Sequence, residues 1–336
     1  MQAAIYGLEG LELTSDERRF FRDYDPAGFI LFKRNCENRD QLHQLTHSLR
    51  DLTGRPDVPI LIDQEGGRVA RMRPPEWPAF PAMERFAQLY ALAPSSAIEA
   101  ARSNARAIAL TLRDCGVNVN ALPLLDVRQE GASDIIGDRA LGSEPMQVAA
   151  LGRAVLDGMA SAGVVGIVKH MPGHGRALVD SHKELPVVHA SAEELETDLE
   201  PFERLSSAPM GMTAHVVYTA WDPDHPASLS PTVIGDIIRG RIGFNGFLMS
   251  DDLGMEALQG DFGSRAAGVV AAGCDVATHC SGKMEEMVAV AKAVPSMTHE
   301  GEARLARAMA VTLVEDDEGP TFAEAAAKRD ELLALV

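Results

Sequence analysis

Residues 168–182, VKHMPGHGRALVDSH, gather three histidines, a lysine and an aspartate into fifteen positions. Pro172, Gly173 and Gly175 keep most of the stretch out of regular helix or strand. It therefore reads as a long loop crowded with titratable groups, a common setting for chemistry. Within it, Asp180-Ser181-His182 places a carboxylate two residues before an imidazole. Such a carboxylate can orient the ring and support its protonated form, making a general acid/base unit. Read alone, the triplet more often forms a helix cap or a surface loop. His170 and His174 stand at the spacing that presents two imidazoles to zinc from one helix face. The intervening Pro172 and Gly173 oppose a helix, so the metal reading is the weaker one. His174 reads as a histidine that bonds backbone and holds the loop.

A second constellation is Ser250-Asp251-Asp252-Leu253. Two adjacent acids at a strand end are costly unless one is used or paired. One can face a site as a nucleophile while the other caps the following helix.

Short apolar runs alternate with amphipathic stretches along almost the whole chain. Strands are expected at 3–7, 28–32, 59–63, 117–127, 164–169, 211–217, 246–251 and 274–278. The run 28–32 is the continuous apolar kind buried on both faces of a parallel sheet. Helices are expected at 15–23, 95–114, 144–162, 264–273, 283–294 and 322–335. Another is capped by Asp40 and carries Leu42, Leu45, Leu49 and Leu52 on one face. A further one opens on a Ser191/Glu194 capping box with Leu195, Leu199, Phe202 and Leu205 as its stripe, and one starts at Ser230-Pro231. The glycines of the loop 64–68 are expected to let backbone approach a ligand, and a long loop at 128–142 carries Arg139.

Eight strands alternating with helices predict an α/β fold, a (β/α)8 TIM barrel, with its site at the C-terminal strand ends. Asp63, Asp126, Lys169, His170, His215 and Asp251 all fall near such ends. A doubly wound sheet explains that distribution less well. With no linker or repeat in view, residues 1–336 read as one domain ending in helices from about 283 to 336.

A net charge of −18 argues against nucleic acid or anionic lipid as partner, since both need clustered Lys and Arg. Cys36, Cys115, Cys274 and Cys280 show no zinc-ligand spacing and read as free thiols of a reducing cytosol. No secretory leader or membrane span is visible. A cytoplasmic protein without a membrane partner is the expectation.

Four segments, VKHMPGHG with the later DSH, DQEGGRVARM and MSDDLGM, resemble the motifs of family 3 glycoside hydrolases, in order, over roughly residues 1–295. The branch they resemble most is the single-domain bacterial β-N-acetylglucosaminidases of cell-wall recycling. The resemblance implies a (β/α)8 barrel and a retaining exo-β-N-acetylglucosaminidase acting on GlcNAc-1,6-anhydro-MurNAc peptides. It implies Asp251 as nucleophile, His182 as acid/base with Asp180 as its partner, and sugar contacts from Asp63, Arg71, Arg139, Lys169 and His170. It implies no metal or organic cofactor, and a monomer with a GlcNAc-containing saccharide as its only partner. Each of the contacts has a structural ion pair as its alternative reading, and His215 stands evenly between lining the site and packing at a strand end. Met171 and Gly254 depart from the family pattern, which has an aromatic residue and a serine there, and residues 176–179 have no match. The alternatives are a β-glucosidase of the same family, a metal-dependent barrel hydrolase using His170, His174 and His215, and a binding protein without activity.

Overall fold

The computed structural model describes residues 1–313 and 319–336. Eight parallel strands close into a barrel, each paired with its sequence neighbours and the first with the last. They are β1 (Gln2–Gly7), β2 (Pro26–Leu31), β3 (Ile60–Ile62), β4 (Val119–Asn120), β5 (Val165–Met171), β6 (Met210–Thr213), β7 (Phe247–Asp252) and β8 (Val276–His279). The ring closes where Tyr6 of β1 lies opposite His279 of β8. β1, β2 and β5 are buried at every position, as parallel strands covered by helices must be.

The helices are α1 (Ser15–Tyr24), α2 (Arg39–Thr53), α3 (Glu84–Leu92), α4 (Pro94–Asp114), α5 (Pro145–Ala160), α6 (Ala192–Arg204), α7 (Phe262–Ala272), α8 (Met284–Ala293), α9 (His299–Met309) and α10 (Phe322–Leu333). The 191/194 capping box forms as expected. α2 starts two residues earlier than its sequence suggested: Asn38, not Asp40, is the cap and accepts the Gln41 N–H. The segment after Ser230-Pro231 winds as a helix of the wider i→i+5 kind over Val233–Arg241, closing with Ile242 N–H on Ile237 O.

Two expectations on elements are corrected. The run 117–127 is a strand only at Val119–Asn120. Pro123 has no N–H to give the ladder, and the chain continues beside β5 through separate bonds such as Leu125 N–H to Lys169 O. α3 and α9 were not anticipated. α9 carries a sparse buried stripe of Gly301, Leu305, Ala308 and Met309, too small in side-chain volume to announce itself. The glycines of the 64–68 loop are needed for close approach of neighbouring chain: a Cβ on Gly66 would sit 2.3 Å from Pro81 O and one on Gly67 2.8 Å from Ala82 Cβ.

The core predicts its own energetics. Phe29 is fully buried and meets Phe21 edge to face at 5.0 Å. Phe29→Ala is expected to lower the unfolding free energy by about 3–5 kcal/mol, whereas Leu92→Ala, 69% exposed, should stay within about 0.5 kcal/mol. Urea denaturation of the two variants measures both.

Candidate active site

The C-terminal strand ends meet in a pocket of about 220 Å³ lined in part by Asp63, Lys169, His170, His182 and Asp251. Its volume is on the scale of one hexose ring.

One wall is an ionic cluster. Lys169, at the end of β5 and 2% exposed, places Nζ 3.1 Å from Asp63 Oδ1 and 2.7 Å from Glu65 Oε1. Arg71 donates to the other Asp63 oxygen at 3.0 Å. Arg139 grips Glu65 with two bonds, Nε to Oε2 and Nη2 to Oε1, both 2.8 Å. The result is an alternating chain, Arg71–Asp63–Lys169–Glu65–Arg139. Burial on its own would raise the two carboxyls, but Lys169 with Arg71 holds Asp63, and Lys169 with Arg139 holds Glu65, below the usual carboxylate range. Burial likewise opposes the Lys169 charge, and Glu65 and Asp63 more than restore it. All five groups stay ionised, and Arg71, whose Nε is buried without a partner, lies over the Phe32 ring.

A second buried carboxylate organises the histidines. Asp126, fully buried, accepts from the backbone N–H of His170 at 3.1 Å and of His174 at 2.7 Å. Its other oxygen lies 2.8 Å from His170 Nδ1. Burial raises this acid, yet His170 and His174 bring it down to about 2. With Nδ1 bound to Asp126, His170 keeps Nε2 for the pocket. His174 is deeper, and burial pushes its ring down to about 4, so it is neutral at neutral pH.

Asp251 ends β7. Its Oδ1 accepts the Asp252 N–H at 2.8 Å. Burial raises its carboxyl, but His170 and His215 hold it below the usual range, so it is a carboxylate available to attack. Asp252 does not cap a helix as expected: Oδ1 accepts from Gly254 N–H at 2.9 Å and Cys280 N–H at 3.2 Å, and Asp261 is the cap of α7. His215 belongs to packing rather than to the pocket lining. Its Nδ1 meets Ser228 Oγ at 2.6 Å and its Nε2 meets Asp252 O at 3.0 Å, so it braces the backbone behind Asp251.

His182 comes from the loop after β5. Its Nδ1 lies 2.9 Å from Asp180 Oδ1, which also accepts the His182 backbone N–H. A proton on Nδ1 in that bond leaves Nε2 for the pocket. The imidazole is 62% exposed. Upstream, Arg176 ties the loop to α6 through Asp198 Oδ2 at 2.6 Å and Glu194 O at 2.8 Å. Burial pushes the Asp198 carboxyl up to about 6 despite the arginine.

The structure thus gathers Asp63, Arg71, Arg139, Lys169, His170, His182 and Asp251 around one pocket, with Asp180 behind His182. The ion-pair alternatives hold in part as well, since Arg71 and Lys169 are bound to Asp63, and Lys169 and Arg139 to Glu65. His170, His174 and His215, the trio of the metal alternative, are committed to separate partners. Among the described residues, no group of three or more His, Cys, Asp or Glu is arranged to hold a metal ion. Glu65, Ser181 and Ser228 had not been singled out. Glu65 is the most accessible from sequence: among the expected sugar contacts three cations, Arg71, Arg139 and Lys169, stand against one acid, Asp63, and Glu65 sits two residues away from it, on the same face of an extended chain.

Comparison with known proteins places this geometry. Residues 3–312 match the model of the glycosyl hydrolase family 3 N-terminal domain. A protein named β-hexosaminidase from Alkalilimnicola ehrlichii is 40% identical over 90% of this chain and 87% of its own. The crystal structure of native NagZ from Neisseria gonorrhoeae superposes with a TM-score of 0.87 at 32% identity, over 99% of this chain and 98% of that one. A structure of the same Neisseria protein in complex with N-trifluoroacetyl-D-glucosamine matches with a TM-score of 0.87, 33% identity and the same coverage.

Two outcomes follow from the charges. Removing Glu65 leaves Lys169 and Arg139 without their shared counter-ion, so Glu65→Ala should cost about 3–5 kcal/mol of stability in urea denaturation. The pH dependence has a definite sign. Asp126 ionises at about 2 in the fold, against about 3.9 in an unfolded chain, so its contribution is complete above about pH 4 and lost as pH falls towards 2. Between about 6 and 4 the depressed His174 and the raised Asp198 act in opposite directions, which leaves the range from 4 to 2 as the diagnostic one. Unfolding free energy should fall steeply there, and less steeply in Asp126→Asn.

Proposed function

The chain belongs to glycosyl hydrolase family 3, and we propose that it is a retaining exo-β-N-acetylglucosaminidase that removes the non-reducing GlcNAc from GlcNAc-1,6-anhydro-MurNAc peptides of peptidoglycan. Its class is that of its relatives: a glycoside hydrolase, a β-hexosaminidase. The finer reading is carried by one observation, the convergence of a half-buried ionised aspartate and a loop histidine–aspartate dyad on a pocket the size of one sugar.

In this mechanism the sugar ring enters the pocket with its hydroxyls against Asp63, Arg71, Lys169 and His170. Arg139 reaches the ring from the outer side of Glu65. Polar groups fixed beforehand by one another need no reorganisation as charge develops. Asp251 attacks the anomeric carbon as His182 gives its Nε2 proton to the glycosidic oxygen. The C1–oxygen bond breaks, a glycosyl ester between C1 and the Asp251 carboxylate forms, and the aglycone leaves as an alcohol. Water then adds to C1, giving its proton to His182, and the ester opens to release GlcNAc with retained configuration. Asp180 stabilises the imidazolium whenever His182 carries two protons.

The acetamido preference is supported by the Neisseria neighbour, whose structure holds N-trifluoroacetyl-D-glucosamine. The peptidoglycan fragment and the cytoplasmic setting rest on the motif resemblance. They agree with four free cysteines, and no helix among the described residues is long and apolar enough to cross a membrane.

Kinetics on aryl β-N-acetylglucosaminides test the assignment. Wild type should hydrolyse an activated aryl N-acetylglucosaminide equally well with chelator present, and the aryl glucoside poorly. Asp251→Ala should lose about 10³-fold or more in kcat, equivalent to about 4 kcal/mol of barrier. His182→Ala should lose about 10²–10⁴-fold on an unactivated disaccharide and much less when the leaving group needs no proton. An active Asp251→Ala enzyme, or a preference for the glucoside, contradicts the reading.

A further inference from the structure

The acid/base loop is pinned at one interior residue that the mechanism above does not use. Leu178 is 70% exposed and the His182 side chain 62%, yet Ser181, between the two members of the dyad, is 2% exposed. Its hydroxyl lies 3.2 Å from His174 Nε2, and its carbonyl accepts the Ala257 N–H at 3.3 Å. Ala257 belongs to the loop that follows Asp251. Ser181 therefore touches the segment behind the nucleophile and a buried histidine at once.

His174 is an unusual neighbour for a loop serine. Its backbone N–H is fixed by Asp126, its ring stands edge-on to His170 with centroids 5.7 Å apart, and its Nδ1 is buried without a partner. Ser181 is the one hydrogen-bond partner its ring has among the described residues. A buried imidazole that leaves one nitrogen unsatisfied is poor packing chemistry. It is understandable if the remaining nitrogen has a task, and a neutral ring with Nε2–H can donate to the serine oxygen. Asp126 thus holds His170, which faces the sugar, and His174, which faces the loop, from one carboxylate.

We propose that His174 and Ser181 form a latch that holds the acid/base loop with His182 at the pocket mouth, and that both are positioning residues for proton transfer without touching substrate. The proposal rests on the reading of His182 as acid/base. Opening the latch frees His182 for substrate entry and product release, and closing it returns the dyad to the glycosidic oxygen. Displacement of a positioned group by about 1 Å is enough to lower a rate about 10²-fold.

The test compares wild type, Ser181→Ala, His174→Leu, His174→Gln and His182→Ala on aryl β-N-acetylglucosaminides running from dinitrophenyl to unactivated leaving groups, with thermal midpoints measured alongside. Ser181→Ala should lose about 10–100-fold in kcat on the poorest leaving group, with KM nearly unchanged and little loss on the dinitrophenyl substrate. His174→Leu should behave alike if folded. His174→Gln, whose amide can donate near the place of Nε2, should recover part of the loss. If His182→Ala shows the leaving-group gradient but Ser181→Ala matches wild type throughout, the latch is wrong and the acid/base reading survives. A uniform loss in Ser181→Ala across all leaving groups means general damage and also overturns the latch. If His182→Ala shows no gradient, the acid/base reading fails and takes the latch with it.

Discussion

The bonds from Lys169 Nζ to Glu65 and Asp63 are the constraint around which this molecule is arranged. An ammonium taken out of water is unstable unless carboxylates surround it, and the two carboxylates need further cations of their own. Arg71 and Arg139 supply them. The chain of five charges joins β5, the segment after β3 and the turn that carries Arg139, so three separate connections of the barrel must close correctly before any one charge is satisfied. Buried ion pairs of this kind add little stability over a well-packed apolar core. What they supply is a wall of fixed polar groups in a pocket of sugar size, held by the protein before any ligand arrives.

The other half of the site has the opposite character. The proposed nucleophile Asp251 is braced from behind by His215, which bonds Ser228 and the Asp252 carbonyl, while the proposed acid/base His182 stands on an exposed loop held by Arg176 at one end and Ser181 at the other. That division suits a pocket that admits one sugar. A glycosidic oxygen reaches the mouth only after the ring is seated, so the proton donor must leave room for entry and then return. In the proposed mechanism a rigid barrel interior defines which ring binds, and a tethered loop delivers the proton.

Much of this was legible in the chain itself. Strands such as β2 and β5 are continuous apolar runs, and polar residues at the ends of different strands pointed to a barrel mouth. The DSH and SDD triplets pointed to the histidine–aspartate pair and to the proposed nucleophile position, and His182 and Asp251 both face the pocket. Other features escaped for physical reasons. Pro123 breaks the ladder in a run whose apolar character promised a long strand. The stripe of α9 holds only Leu305 and Met309 as large residues beside a glycine and an alanine, so its periodicity is faint. Glu65 lay inside a glycine loop whose flexibility drew attention away from its charge. His215 looked like any strand-end histidine until its two nitrogens were found bonded to Ser228 and to the Asp252 carbonyl. Sequence spacing shows which groups share a neighbourhood; it does not show which of them are already bound to one another.

The central claim is a covalent bond between Asp251 and the sugar. Incubating the enzyme with a fluorinated N-acetylglucosaminyl fluoride, whose ester intermediate hydrolyses slowly, and then measuring intact mass and peptide masses would test it most directly. The account predicts one added sugar, carried by the peptide containing Asp251 and lost in Asp251→Ala. An adduct on Asp252 or elsewhere, or turnover to the inverted anomer with no adduct, would contradict it.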